Sequence, residues 1–189
     1  FAVSKKDSAN RTSFTAGGKD INNIVHVMGQ VVGRWDTVEW LDELFIFHER
    51  WNPQAFYVED GQIWQSVYPF ILVEMRQRDI WINFVPIAST KDKGVRGRSL
   101  QRRHKGGGIM FDKNASWYPG YEAELLTFTG VQDALLDDQF DSTALMSKGF
   151  DLLPEIEQED FLTDDEEQFM RDSRRSHGSS NGRSGYTGY

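Results

Sequence analysis

The chain has 189 residues, of which 39% are hydrophobic and 13% aromatic, which is enough for one packed domain and a tail. It has no cysteine, which excludes disulfides, thiolate metal sites and cysteine nucleophiles, and it has no apolar run of the length that a membrane span needs. The net charge is -8, but residues 91–105 hold seven bases against one acid, so a polyanionic partner is not excluded.

The first part of the chain predicts a β-hairpin and then a helix. Residues 13–18 and 23–33 alternate or run apolar, and the polar residues between them are typical of a turn. Asp36 is followed by Glu39 at the spacing of a capping box, and Pro53 marks the end of the helix. Three further elements follow in the order strand, helix, strand: residues 55–59, 61–79 with an interruption or kink near Pro69, and 80–87.

The second part continues the alternation of helices and strands. The predicted elements are a helix capped by Thr90 and running to residue 105, a strand over 108–112, a helix over 118–128 and a last helix that begins near Asp137. Strands that alternate with helices predict a mixed α/β sheet with helices on its faces.

The composition changes after Phe150. Residues 151–172 hold ten acids against one base, and the stretch after them is rich in Gly, Ser and Arg. This pattern predicts a domain over residues 1–150 and a largely disordered, flexible tail over residues 151–189.

Two groups of acids are candidates for binding a metal ion. Glu59 and Asp60 end a predicted strand, and ligands of open α/β sheets gather at the carboxyl ends of strands. Asp137, Asp138 and Asp141 lie at the start of the last helix. If that helix packs beside the strand end, the two groups converge, and a hard cation such as Mg²⁺ removes the repulsion between their charges.

A structural interpretation of the same acids stays open. Aspartate is a favoured residue at helix N-termini, so the acids of the last helix can serve as caps, and Asp60 can cap the helix that follows it.

The basic stretch also has two interpretations. Lys91, Arg98, Arg102 and Lys105 fall on one face of the predicted helix, and such a stripe can track phosphates without reading base sequence. The alternative is an ordinary solvated helix face.

Several stretches together resemble the C-terminal nuclease domain of the large terminase subunit of tailed bacteriophages, the motor that packages viral DNA. They run in the order of that family over residues 1 to about 148: AVSKKDSANRTSF, GRWDTVEWLDELF, WNPQAFYVEDGQI, PIASTKDKGVRGRSLQRR, IMFDKNASWYPGYEAELLTF and LLDDQFDSTAL. The last stretch is similar to the family's His-Asp-Asp-Gln-Val-Asp-Ala signature, with Leu136 where the family often has histidine.

The resemblance implies a ribonuclease H-like fold and a two-metal endonuclease that uses Mg²⁺ or Mn²⁺ to cut concatemeric double-stranded DNA. It implies acidic ligands from Glu59, with Asp60 as competitor, and from Asp138, with Asp137 and Asp141 beside it. The family's first aspartate, with its strand, is expected upstream of Phe1. The residues expected to contact DNA are Lys91, Lys93, Arg96, Arg98, Arg102 and Arg103.

The resemblance also implies partners and a location. An ATPase domain is expected upstream in the same protein, with the portal protein and the small terminase subunit as partners, in the host cytoplasm and not in the mature virion. Two alternatives remain: a different ribonuclease H-like nuclease such as a junction resolvase, and a non-catalytic module that binds DNA or protein.

Overall fold

A computed structural model describes residues 11–88, 93–127 and 137–154, without the side chains at 93, 94, 96, 97 and 99. All of these residues belong to the first of two contact units, Phe1–Pro154 and Glu155–Tyr189. The elements, in chain order, are β1 (Thr12–Lys19), β2 (Val25–Gly33), α1 (Thr37–Trp51), β3 (Phe56–Asp60), α2 (Gln62–Arg78), β4 (Phe84–Ala88), α3 (Lys93–Lys105), β5 (Ile109–Phe111), α4 (Tyr118–Thr127) and α5 (Asp138–Asp151).

The described strands form two small sheets and not the one sheet that was predicted, whereas the coarser prediction of a mixed α/β architecture is confirmed. One sheet has the order β1-β2-β5, with β1 antiparallel and β5 parallel to β2, and the other pairs β3 with β4 in parallel. The predicted hairpin is β1–β2. Its turn is held by the carboxylate of Asp20, which accepts hydrogen bonds from the backbone N–H groups of Asn22 and Ile24, both at 2.9 Å.

Helices pack against both faces of β1. Neighbouring side chains of a strand point to opposite faces, so the two sets of β1 side chains contact different helices. Phe14 and Ala16 enter a core cluster with residues of α1, α2 and β3, whereas Ser13 and Thr15 contact α5. A second cluster joins β2 and β5 to α3 and α5, with Val25 and Leu100 among its buried members. The described residues therefore form helix, sheet and helix layers, and α5 lies on one face of the sheet.

The start and the end of α1 confirm the predicted capping signals. The Asp36 carboxylate accepts hydrogen bonds from the N–H groups of Val38 and Glu39, and the Glu39 carboxylate accepts one from the N–H of Asp36 at 3.1 Å. Asn52 ends the helix in the left-handed region, with φ of 40°, just before Pro53.

Asp36→Ala is expected to destabilise the protein by about 1 kcal/mol, because two helix N–H groups lose their acceptor. Urea denaturation measures this difference. Glu49→Gln, at the exposed last turn of the same helix, is the matched control and should leave the free energy of unfolding within about 0.5 kcal/mol of wild type. If Asp36→Ala lowers the free energy of unfolding no more than the control does, the capping role of Asp36 is contradicted.

Two predicted elements differ from the structure. Helix α2 runs through Pro69, so the predicted interruption is wrong, and the alternative of a kink stays a prediction. The buried side chains of Trp64, Val67, Ile71 and Met75 place both halves of the helix against one core cluster. The predicted strand over 80–87 is shorter, because residues 80–83 precede β4 as irregular chain and only Phe84–Ala88 pairs with β3. None of the helices in the described part of the chain is both long and apolar enough to cross a membrane.

Candidate functional site

The first turn of α5 carries the predicted acids, and its N–H groups are capped from another helix. Asp137 occupies the N-cap position, but its side chain makes no capping hydrogen bond. Instead, one carboxylate oxygen of Glu124, in α4, accepts hydrogen bonds from the backbone N–H groups of Gln139 at 2.7 Å and Phe140 at 2.9 Å. The interpretation of Asp137 as a side-chain cap is therefore wrong, and Glu124 takes that place.

Glu124 is a buried carboxylate, with only 4% of the residue exposed. Its second oxygen accepts hydrogen bonds from the side-chain amide of Gln139 at 2.9 Å and from Nη2 of Arg11 at 2.7 Å. A buried charge is tolerated when a partner of opposite charge and hydrogen-bond donors replace water, and Glu124 has both.

Asp138 shares the same arginine. Its carboxylate accepts a hydrogen bond from Nε of Arg11 at 3.1 Å, and its side chain is 21% exposed. Burial raises the pKa of Asp138 above the usual aspartate value, and the nearby charges of Glu124 and Asp137 act in the same direction, so the opposite effect of Arg11 is outweighed. A further positive charge near Asp138 would act in the same direction as Arg11 and favour the ionised carboxylate.

A seam of polar side chains fixes α5 against the β1–β2 hairpin. The hydroxyl of Ser142 lies 2.7 Å from that of Thr15 and 3.0 Å from that of Ser13. The amide of Gln30 donates a 2.8 Å hydrogen bond to the hydroxyl of Thr143, and both residues are buried. These directional bonds set the position of the first turns of the helix, which a purely apolar contact specifies less sharply.

Glu59 and Asp60 end β3, as predicted, at the carboxyl end of a parallel strand pair. Glu59 is opposite Ile87 and Asp60 is opposite Ala88. Glu59 is half-buried and Asp60 is exposed. The N-cap of α2 is Gly61, which shows that Asp60 is not the cap of that helix.

The two groups of predicted acids lie on different elements, at the end of β3 and at the start of α5. Two contacts between α5 and the β3–β4 sheet come from the last turns of the helix. The ring of Phe150 is 6.4 Å from that of Tyr57, and Lys148 donates to the carbonyl of Ala88 at 3.0 Å. Ten residues of helix, about 15 Å, separate Lys148 from Asp138. Within the residues described, no group of three or more His, Cys, Asp or Glu side chains is placed to hold one metal ion.

The predicted DNA-contacting residues differ in their surroundings. Arg98 and Arg102 are exposed on α3. Arg103 donates a 2.6 Å hydrogen bond to the carboxylate of Asp151 and so joins α3 to α5. Lys91 and the side chains of Lys93 and Arg96 lie outside the described residues.

Arg11 and Glu124 were not among the predicted site residues. A signal for Glu124 is present in the sequence, because it lies three residues after Tyr121, and both are on the buried face of α4. An acid on the apolar face of a helix indicates a buried partner. Arg11 lies in a polar stretch and has no comparable signal.

The described residues define a mixed α/β domain in which an acidic helix start is held by the partly buried ion pair of Arg11 with Glu124. No protein-family model matches the sequence, and no curated protein has significant similarity to it.

Proposed function

We propose that this chain contains a ribonuclease H-like, metal-dependent endonuclease domain of a large terminase subunit, which cuts concatemeric double-stranded DNA during viral genome packaging. The observation that carries the proposal is the surroundings of the Asp138 carboxylate. A carboxylate that is only 21% exposed and lies near Glu124 and Asp137 is suited to a divalent cation, because the cation offsets the repulsion between the acids.

The core that β1 and β3 share is compatible with the mixed sheet of a ribonuclease H-like fold. Strands β1 and β3 contribute Phe14 and Val58 to one core cluster, yet no strand pairing joins them among the described residues. In our proposal, a strand upstream of residue 1 pairs with both and brings the first aspartate of the family to this part of the sheet.

The donor atoms present suit Mg²⁺ or Mn²⁺, which prefer carboxylate oxygen. Asp138 would hold the metal, with Asp137 and Asp141 beside it, and Glu59 or Asp60 and the upstream aspartate would complete the ligand set. Two such ions, when bound, would activate a water molecule and stabilise the leaving oxygen of a phosphodiester.

DNA would lie along the exposed basic face of α3. Replacing Arg98 and Arg102 together by glutamine is expected to weaken DNA binding at least about tenfold and to reduce the slope of log affinity against log salt concentration by about 2, because two phosphate contacts are lost. Binding isotherms at several salt concentrations measure both quantities. The control replaces exposed Arg76 and Lys113 by glutamine, which makes the same change in charge elsewhere, and it should leave both the affinity and the salt dependence unchanged. An equal loss of DNA affinity in both double variants would disprove a specific role for α3.

The function is tested by titrating Mn²⁺ into the complete protein in a calorimeter and by following the cutting of linear and four-way-junction DNA. A specific heat of binding and metal-dependent cutting of linear duplex are expected. Cutting confined to the junction would identify a resolvase instead.

A binding module without catalysis is the second candidate. The ion pair of Asp138 with Arg11 favours it, because the acid already has a structural partner there. Such a module should give no specific heat with Mn²⁺ while still binding DNA.

A further inference from the structure

The proposed site depends on a residue that lies on a different helix from its acids. Through its hydrogen bonds, Glu124 holds the backbone immediately after Asp138. We propose that Glu124 is a positioning residue of the candidate metal site, which fixes the first turn of α5 and, through Arg11, the carboxylate of Asp138. The inference rests on the proposed function and adds to it a residue that the terminase resemblance did not supply.

The hydrogen bonds of Glu124 fall within the turn that carries two of the proposed metal ligands. Glu124 accepts from the N–H groups of Gln139 and Phe140, which lie between Asp138 and Asp141 in sequence. Since both acids belong to the turn that these bonds hold, the direction in which the turn presents them depends on Glu124. The helix dipole adds to this effect, because a negative charge at the N-terminus stabilises the turn.

Arg11 connects Glu124 to Asp138. Its Nη2 donates to Glu124 and its Nε donates to Asp138, so one rigid, planar guanidinium spans both carboxylates. Because Glu124 fixes one end of this plane, the direction of Nε is fixed, and with it the orientation of the Asp138 carboxylate. Without the charge of Glu124, the arginine would lose its shorter and more buried contact.

Glu124 has no acceptor position left for a metal ion. Each carboxylate oxygen of Glu124 accepts two hydrogen bonds, and its side chain is 3% exposed. A carboxylate has about four acceptor sites, so these bonds occupy its capacity. Glu124 therefore acts on the site through the backbone and through Arg11.

The test compares Glu124→Gln with Glu122→Gln in the full chain. Glu122 is exposed on the same helix, so the control makes the same chemical change outside the site. Glu124→Gln is expected to speed hydrogen exchange at the N–H groups of Gln139 and Phe140 at least about tenfold, because a neutral amide is a weaker cap and presents donors to Arg11. It should also weaken Mn²⁺ binding about tenfold or more, as losses of supporting contacts around metal ligands do.

The two readouts separate the possible outcomes. Unchanged exchange at both N–H groups would disprove the role of Glu124 in holding the turn. Faster exchange with Mn²⁺ binding equal to wild type would disprove its importance for the site. If the wild type itself gives no heat with Mn²⁺, the proposed metal site fails, and with it the positioning of a metal ligand, while the exchange data still show whether Glu124 caps α5.

A second variant covers the case in which Glu124→Gln does not fold. Glu124→Asp keeps the charge but shortens the side chain by one methylene, so the carboxylate cannot reach both the N–H groups and Arg11. Glu124→Asp should show faster hydrogen exchange at the two N–H groups and weaker Mn²⁺ binding, both to a smaller extent than Glu124→Gln. Exchange rates and Mn²⁺ affinity equal to wild type in a folded Glu124→Asp protein would overturn the proposal.

Discussion

Asp138→Asn is expected to abolish metal-dependent cutting of DNA and specific Mn²⁺ binding while leaving the protein folded. The amide keeps the size of the side chain but lacks the charge that a divalent cation needs. Arg11 keeps its 2.7 Å contact with Glu124, so the substitution does not leave a buried charge without a partner.

The same substitution is expected to raise stability at neutral pH when no metal is present. The pKa of Asp138 in the folded protein lies above the ordinary value of 3.8, so the folded state binds this proton more tightly than the unfolded state. Wild-type stability therefore falls as the pH rises through the folded-state pKa, and Asp138→Asn lacks that fall. Thermal unfolding of both proteins in buffers from pH 3 to pH 8 measures the difference in stability. This range begins below the ordinary aspartate pKa and ends about four units above it.

Two observations would contradict this account. One is Asp138→Asn protein that cuts DNA at the wild-type rate, which would remove the acid from the proposed site. The other is a variant that is less stable than wild type at neutral pH, which would show that the ion pair with Arg11 outweighs burial. Glu122→Gln, at an exposed position of α4, is the control and should change neither property.

The parts of the fold that were predicted from the sequence depend on local signals. The hairpin turn contains Asp20 and bonds within four residues of it, and the start of α1 depends on Asp36 and Glu39, three residues apart. Such signals can be recognised in one short window of sequence.

The support of the candidate site depends on contacts between distant residues, which explains why it was missed. Arg11 is 113 residues from Glu124 and 127 from Asp138 along the chain, and its stretch has no periodic pattern. Sequence spacing placed acids at the end of β3 and at the start of α5. How close these acids lie depends on the way in which α5 packs against the sheet, which sequence spacing does not determine. The predicted convergence of Glu59 with Asp138 therefore stays a prediction.

Gly149 allows the backbone of α5 to pack closely against the ring of Tyr57 in β3. A Cβ atom at this position would lie 2.5 Å from ring carbons of Tyr57, which is too close for any real contact. We expect Gly149→Ala to destabilise the protein by about 1–3 kcal/mol, because the clash exceeds the gain of about 1 kcal/mol that alanine brings to a helix.

The matched control is Gly120→Ala in α4, where an added Cβ meets no atom within 4 Å. This variant should be more stable than wild type by about 0.5–1 kcal/mol, since alanine has less backbone entropy to lose. Urea denaturation of both variants should thus give shifts of opposite sign. A destabilised Gly120→Ala would mean that helical glycines matter here for a reason other than contact with Tyr57.

The double variant Tyr57→Ala with Gly149→Ala connects packing to the proposed site. Removing the ring removes the clash, so the second substitution should cost less in the Tyr57→Ala background than in wild type. If acids from β3 and α5 share metal ions, Gly149→Ala should also weaken Mn²⁺ binding, because the clash with Tyr57 shifts α5 relative to β3. Unaltered Mn²⁺ affinity in a destabilised Gly149→Ala protein would indicate that the acids of α5 bind the metal without Glu59 and Asp60.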